Sequence, residues 1–232
     1  MRIQGLQKMT LLDYPGQVAC TVFLGGCDFR CPFCHNFELV EGPMPDAIDE
    51  QEFFAFLEKR RGLLDGVAVT GGEPCLRNDL PDFLAKIHDA GFAVKLDTNG
   101  YSPRMLERVL DDKLIDYVAM DIKNSPAKYA RTVGLAEIDL ERVSESIELL
   151  MRSGVAYEFR TTVIDEFHEA RDFEEIGAWI SGAERYFLQA FADRDAVPDR
   201  TLSAPDPSDL RAFRDIAAAY VKHVEIRGVE EM

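Results

Sequence analysis

Apolar runs alternate with amphipathic stretches along the chain. Residues 18–24 (VACTVFL) are apolar and β-branched, which predicts a buried strand. Residues 48–61 predict a helix, with Phe53, Phe54 and Leu57 on one face and Asp49 and Glu52 spaced as a capping box. A short strand over 66–70 runs into Gly71-Gly72. Residues 79–90 place Leu80, Phe83, Leu84 and Ile87 on one helix face, and 92–97 form a strand. Ser102-Pro103 opens a helix by N-cap and N1 chemistry. A strand over 117–122 and a helix over 140–153 follow, with Gly154 as the helix stop. Strands at 157–163 and 186–191 flank a helix at 172–181. A last helix runs from Asp206 or Ser208 to Tyr220, and a last strand spans 223–227.

Strands alternating with helices imply a parallel sheet covered by helices, in one domain over residues 1–232. The units fall short of the about 250 residues of an eightfold barrel. We therefore expect an α/β fold, an open or partial β/α barrel of about six parallel strands. A doubly wound flat sheet is the second choice. Either architecture puts a site at the carboxyl ends of the strands. The unusual motifs fall there: Cys27 to Cys34 after the first strand, Gly71-Gly72-Glu73-Pro74 after the second, Asp97-Thr98-Asn99-Gly100 after the third, and Asp121-Ile122-Lys123 at the end of the fourth.

Composition narrows the classes. With 232 residues and 47% apolar content the chain is globular rather than disordered, and no apolar run is long enough to span a membrane. The start lacks a basic and then apolar leader pattern, so we expect a cytoplasmic protein. A net charge of −16, with no basic run longer than Lys59-Arg60-Arg61, argues against nucleic acid or anionic membrane as partner. Such a Lys-poor, acidic surface suits a salty cytoplasm. The expected result is a melting temperature that rises with potassium chloride, and a flat curve rejects the idea.

The cysteines carry more. There are five, at 20, 27, 31, 34 and 75, and an odd count argues against a disulfide framework. Cys27, Cys31 and Cys34 have the spacing C-x3-C-x2-C. Three thiolates from one loop can hold three corners of a cubane [4Fe–4S] cluster and leave the fourth iron open to an exogenous ligand. A structural zinc site needs four donors, so Cys75 or His35 would have to complete one. Cys20, inside a strand, reads as a small core residue, and Cys75 as packing.

On these residues the sequence resembles the radical S-adenosylmethionine (SAM) superfamily, whose signature is C-x3-C-x-aromatic-C; Phe33 supplies the aromatic. Residues 8–16 (KMTLLDYPG), Cys34-His35-Asn36, Asp97-Thr98-Asn99-Gly100 and Met120-Asp121-Ile122-Lys123 resemble the glycyl-radical-enzyme activases, and most closely the activating proteins of anaerobic ribonucleoside-triphosphate reductase. The resemblance implies one [4Fe–4S] cluster on the three cysteines and SAM on the open iron. One-electron reduction then yields methionine and a 5′-deoxyadenosyl radical. It implies two partners, a large glycyl radical enzyme and an electron donor such as flavodoxin or ferredoxin.

The resemblance also assigns SAM contacts. Phe33, Cys34 and His35 lie in the cluster loop, and Gly71, Gly72 and Glu73 face the methionine amino group. Asp97 and Thr98 lie near its carboxylate, and Asn99, Asp121, Ile122 and Lys123 also belong to the SAM site. In some activases a monovalent cation sits between aspartates like Asp97 and Asp121. Ordinary readings stand beside these: a β-to-α turn for the glycines, an Asn-Gly turn, and a solvated strand end for Lys123. Arg160 needs a carboxylate, from SAM or from the protein. Gln189 stands where some activases carry a His. His35 and Asn36 orient the loop or meet the partner, whereas His88, His168 and His223 read as structural or exposed. Two other functions remain open: a radical SAM enzyme acting on a small molecule, as the carboxydeazaguanine synthases do, and a non-catalytic iron–sulfur or zinc protein.

Overall fold

A computed structural model describes residues 1–44 and 46–228. A two-stranded antiparallel pair, β1 (Arg2–Ile3) and β4 (Ile48–Asp49), forms a small sheet of its own. The main sheet contains β2 (Gly5–Thr10), β3 (Ala19–Leu24), β5 (Gly66–Gly71), β6 (Ala93–Thr98), β7 (Tyr117–Asp121), β8 (Ala156–Val163), β9 (Arg185–Ala190) and β10 (His223–Arg227). Its order is β10-β9-β8-β7-β6-β5-β3-β2, parallel throughout except for β2, which pairs antiparallel to β3. The sheet is thus an open one with two edges rather than a closed barrel. Seven strands are parallel, and β2 is an edge strand that the apolar pattern did not reveal because three consecutive residues of it are exposed.

The helices are α1 (Glu50–Lys59), α2 (Leu80–Asp89), α3 (Pro103–Asp111), α4 (Tyr129–Thr132), α5 (Leu140–Ser153), α6 (Ala170–Trp179) and α7 (Pro207–Ala217). Their ends follow local chemistry. Asp49 caps α1 by accepting from Gln51 N at 2.6 Å, without the reciprocal box expected from Glu52. Ser102 makes no side-chain cap, so α3 starts on Pro103 alone. Gly154 stops α5 at φ 75°, as expected. Helix α6 starts earlier than predicted because Glu169 and Asp172 form a capping box. Asp206 caps α7, which ends at Ala217 rather than at Tyr220.

Strand alternation divides the molecule. Val67, Val69, Val94, Leu96, Val118 and Met120 are fully buried and pack with α2, α3, α5 and α6 side chains in one core. The opposite face of the same strands is polar. Register places Asp121 beside Arg160, and Lys95 beside Tyr117, across neighbouring strands of that face. Below the carboxyl ends, Glu158 is buried there and accepts from both Arg227 nitrogens at 2.8 and 2.9 Å and from Tyr117 OH at 2.8 Å. Burying apolar area at about 25 cal/mol per Å² drives the helix-covered face. The polar face persists because its charges are paired.

Candidate active site

All the singled-out residues except Ile122 line one cavity at the carboxyl ends of β3, β5, β6, β7 and β8. The cysteine loop forms one wall. Cys27 Sγ accepts from Phe29 N at 3.4 Å, and Cys34 N donates to Cys31 O at 3.2 Å, which curls the loop. Burial pushes the Cys27 and Cys31 thiols up to about 12 and raises Cys34 as well. His35 Nε2 lies 2.7 Å from Ala192 O, and its ring stacks on Phe191 at 5.9 Å. Asn36 Nδ2 donates to Gly71 O at 3.1 Å, so it ties the loop to the glycine turn.

That turn is glycine because of backbone, not only ligand, proximity. Gly71 has φ +126°, and a Cβ there would lie 2.2 Å from Leu24 O. A Cβ on Gly72 would lie 2.1 Å from Gly26 O. The close approach lets Gly72 N donate to Leu24 O at 2.8 Å and Glu73 N to Gly26 O at 2.7 Å. Glu73 then reaches across to β6. Its carboxyl accepts from Cys75 N (2.9 Å), Thr98 Oγ1 (2.8 Å) and Asn99 N (2.6 Å). Asn99 Nδ2 in turn donates to Asp28 Oδ1 at 2.8 Å, back on the cysteine loop.

Burial pushes the Glu73 carboxyl from 4.5 up to about 7, against the pull of those three donors. The native state therefore holds a proton that the unfolded chain releases as pH rises above 4.5. Stability is fully present below 4.5 and is lost as pH rises through about 7. Urea midpoints taken from about pH 5 to about pH 8 are expected to fall, and Glu73→Gln to flatten that part of the slope. A parallel slope in the variant rejects this assignment.

The facing wall is a chain of charges. Lys95, almost fully buried, pairs with Asp97. Arg160 Nη1 lies 3.4 Å from Asp97 Oδ2, and its Nε donates to Asp121 Oδ1 at 3.0 Å. Lys123 Nζ donates to Asp121 Oδ2 at 2.8 Å. Burial alone would raise Asp121, but Arg160 and Lys123 outweigh it and hold the carboxyl at about 2. The Arg160 guanidinium thus lies between the aspartates where the resemblance allowed a monovalent cation, and it supplies the positive charge that would relieve their repulsion. The chain carries three cations, Lys95, Arg160 and Lys123, against two carboxylates, Asp97 and Asp121.

Ile122 points elsewhere. It is fully buried, its N donates to Arg160 O at 2.8 Å, and Thr161 Oγ1 donates to its carbonyl at 2.6 Å. Cys20 and Cys75 are buried outside the cavity lining. His168 is buried and structural, with Nε2 3.0 Å from Lys123 O. Thr162 and Gln189 do line the cavity. Sequence reading missed Lys95, although a lysine two residues before Asp97 in an apolar strand shares its face. It also missed Asp28, for which no pattern gave a signal.

Residues 21–180 match the family model described as the radical SAM superfamily. The chain belongs to the radical SAM superfamily. A Methanocaldococcus jannaschii protein provisionally named a glycyl-radical enzyme activating enzyme is 31% identical over 98% of this chain and 96% of its own. The pyruvate formate-lyase-activating enzyme of Clostridium pasteurianum is 32% identical over 53% of this chain and 52% of its own. Among solved structures, Streptococcus suis SuiB bound to S-adenosylmethionine aligns with TM-score 0.67 at 14% identity, covering 90% of this chain and 52% of that one. Escherichia coli QueE aligns with TM-score 0.56 at 16% identity over 98% and 94%. These two likenesses concern the fold alone. The mostly parallel open α/β sheet is that of the family.

The family uses a [4Fe–4S] cluster and SAM, and the residues present fit that pair. Three cysteines face one cavity. A cubane takes one thiolate per iron, so three cysteines suit three of its four irons. Of the two candidates for completing a zinc site, Cys75 lies outside the cavity lining. No helix among the described residues is long and apolar enough to cross a membrane.

Proposed function

We propose that residues 1–232 form a single radical SAM domain that activates a glycyl radical enzyme in the cytoplasm, specifically anaerobic ribonucleoside-triphosphate reductase. The observation that carries this reading is the 31% identity to a protein provisionally named a glycyl-radical enzyme activating enzyme, over 98% of this chain and 96% of that one. The resemblance of residues 8–16 to the reductase activases selects the partner. Cys27, Cys31 and Cys34 would hold the cluster, which, reduced by a donor such as flavodoxin or ferredoxin, would supply the electron for reductive cleavage of SAM and so the hydrogen abstraction from a glycine of the partner.

The protein's own part is binding and orientation. At the glycine turn the Gly72 and Glu73 amides are donated to Leu24 and Gly26, while the Gly71 and Glu73 carbonyls accept from Asn36 and Leu76, so the Gly72 carbonyl is the best placed to accept an ammonium group. Arg160 and Lys123, in a network with one surplus positive charge, receive the methionine carboxylate. Thr98 ties the β6 end to Glu73 of the glycine turn, Asn99 ties it to Asp28 of the cysteine loop, and Phe33 and His35 wall the cavity. An open sheet edge leaves room for a glycine-bearing loop of a large partner.

The test is anaerobic reconstitution with dithionite or reduced flavodoxin, SAM and the reductase. We expect 5′-deoxyadenosine together with a glycyl doublet in the electron paramagnetic resonance spectrum of the reductase. SAM cleavage with no radical on any glycyl radical enzyme rejects the activase reading.

A further inference from the structure

Strand β7 stops just short of Lys123. Its register with β8 ends at Asp121 beside Arg160, and the last main-chain bond between the two strands runs from Ile122 N to Arg160 O at 2.8 Å. The Lys123 side chain lines the cavity, where its ammonium meets Asp121 at 2.8 Å. The chain then bends at Asn124. Asn124 and Ser125 are buried and anchored by their own side chains. Asn124 Nδ2 donates to Thr132 Oγ1 at 2.9 Å and to Phe167 O at 3.1 Å, and Ser125 Oγ donates to Asp172 Oδ1 at 2.6 Å. Between sheet and turn, the Lys123 carbonyl is held from elsewhere: His168 Nε2 lies 3.0 Å from it, the one donor to that oxygen among the described residues.

His168 is buried in the connection from β8 to α6, and its ring lies against Phe173 at 5.9 Å. The ring hydrogen can be placed from its neighbours. Ile164 N donates to Nδ1 at 3.2 Å, so Nδ1 is an acceptor. Ile164 O, also 3.2 Å from Nδ1, already accepts from His168 N at 3.0 Å. Nε2 therefore carries the hydrogen and donates it to Lys123 O. The opposite tautomer would set the Nε2 lone pair against a carbonyl oxygen and leave Ile164 N without an acceptor. Burial lowers the His168 pKa, which keeps the ring neutral.

We propose that His168 is a positioning residue for SAM: by holding the Lys123 carbonyl, it sets where the Lys123 ammonium stands to receive the methionine carboxylate. A lysine head rides on a flexible four-carbon stem, so it is placed only as well as its main chain and its ion-pair partner place it. Asp121 fixes the head, and His168 fixes the root. The inference rests on the reading that the carboxylate of SAM meets this wall.

Two substitutions separate the two ring nitrogens. An asparagine amide falls near the Nδ1 position and a glutamine amide near Nε2. His168→Asn thus keeps a partner for Ile164 N and lets go of Lys123, whereas His168→Gln keeps the donor to Lys123 O. Wild type and variants, at equal iron content, are dialysed against SAM and against decarboxylated SAM, and the metal-free proteins are unfolded in urea. Both variants are expected to lose stability, since each leaves one buried backbone group unpaired. Only His168→Asn is expected to lose preference, binding SAM about tenfold more weakly, the net worth of a single hydrogen bond, with decarboxylated SAM unaffected. A full preference in His168→Asn, or an equal loss in His168→Gln, overturns the proposal. Asp172→Asn releases the neighbouring Ser125 anchor and is expected to lose stability yet keep the preference. A loss of preference there would show a general loosening of the turn and overturns the proposal as well. A wild type that binds both ligands alike overturns the carboxylate reading itself, a different result from all of these.

Discussion

Arg160→Met is expected to weaken SAM binding by about a hundredfold while costing the fold only about 1–3 kcal/mol. The asymmetry follows from the charge count. Asp97 keeps Lys95 and Asp121 keeps Lys123 when the guanidinium goes, so neither carboxylate is left buried without a cation. What disappears is the surplus positive charge and the rigid donor pair that spans both aspartates. Equilibrium dialysis on the reconstituted protein reads the binding loss, and urea unfolding reads the stability. Decarboxylated SAM separates recognition from general damage. Wild type should strongly prefer SAM over it, and Arg160→Met should lose most of that preference. Equal losses for both ligands would falsify the assignment of the carboxylate to this wall.

The same substitution changes the acid limb of stability. Asp121 is held at about 2, below its ordinary 3.8, because Arg160 and Lys123 overcome the effect of burial. A carboxyl depressed in the folded state contributes stability that is present above 3.8 and lost as pH falls towards about 2. Without Arg160, that loss should begin at higher pH. Lys123→Met should act in the same direction, and the double variant should show less than the sum because both cations act on one carboxylate.

The α/β rhythm was legible because the parallel strands carry apolar residues at every second position, interrupted only by threonines such as Thr98 and Thr161, and helices α1, α2, α5 and α7 carry apolar stripes. Strand β2 was not legible: at an edge, with residues 7–9 exposed, it has no buried side to mark it. Helix α4 is a single turn, too short for a period. The site divides along similar lines. Cysteine spacing and strand-end motifs are local patterns, and they meet in one cavity because parallel strands bring all their carboxyl ends together. Pairing between strands is not local. That Arg160 answers both Asp97 and Asp121, rather than neighbours of Glu158, depends on register across β6, β7 and β8. The bracing by Glu73 was not legible either: its carboxyl holds the β5 and β6 ends together through Cys75 N, Thr98 Oγ1 and Asn99 N.

Gly72→Ala is expected to destabilise the protein by about 3 kcal/mol and to abolish stable retention of the cluster, with the helix and sheet content intact. The added carbon would lie 2.1 Å from Gly26 O and 2.7 Å from Gly26 C, both backbone atoms of the segment leading into Cys27. Neither can rotate away as a side-chain tip would, so the turn and the cysteine loop must separate. Separation breaks the Glu73 N to Gly26 O bond of 2.7 Å and strains the Asn36 bridge to Gly71 O. The damage therefore falls on the spacing of the three cysteines, not on the helix-covered core. Gly71→Ala adds a conformational cost to a similar clash, since its φ of +126° is one that other residues rarely adopt. It should be the more damaging of the two. Iron content per chain, far-UV circular dichroism and urea midpoints read these three effects separately. Full iron retention in Gly72→Ala would mean that the loop can move away from the turn without losing its ligand geometry, and that the glycine serves only the approach of SAM.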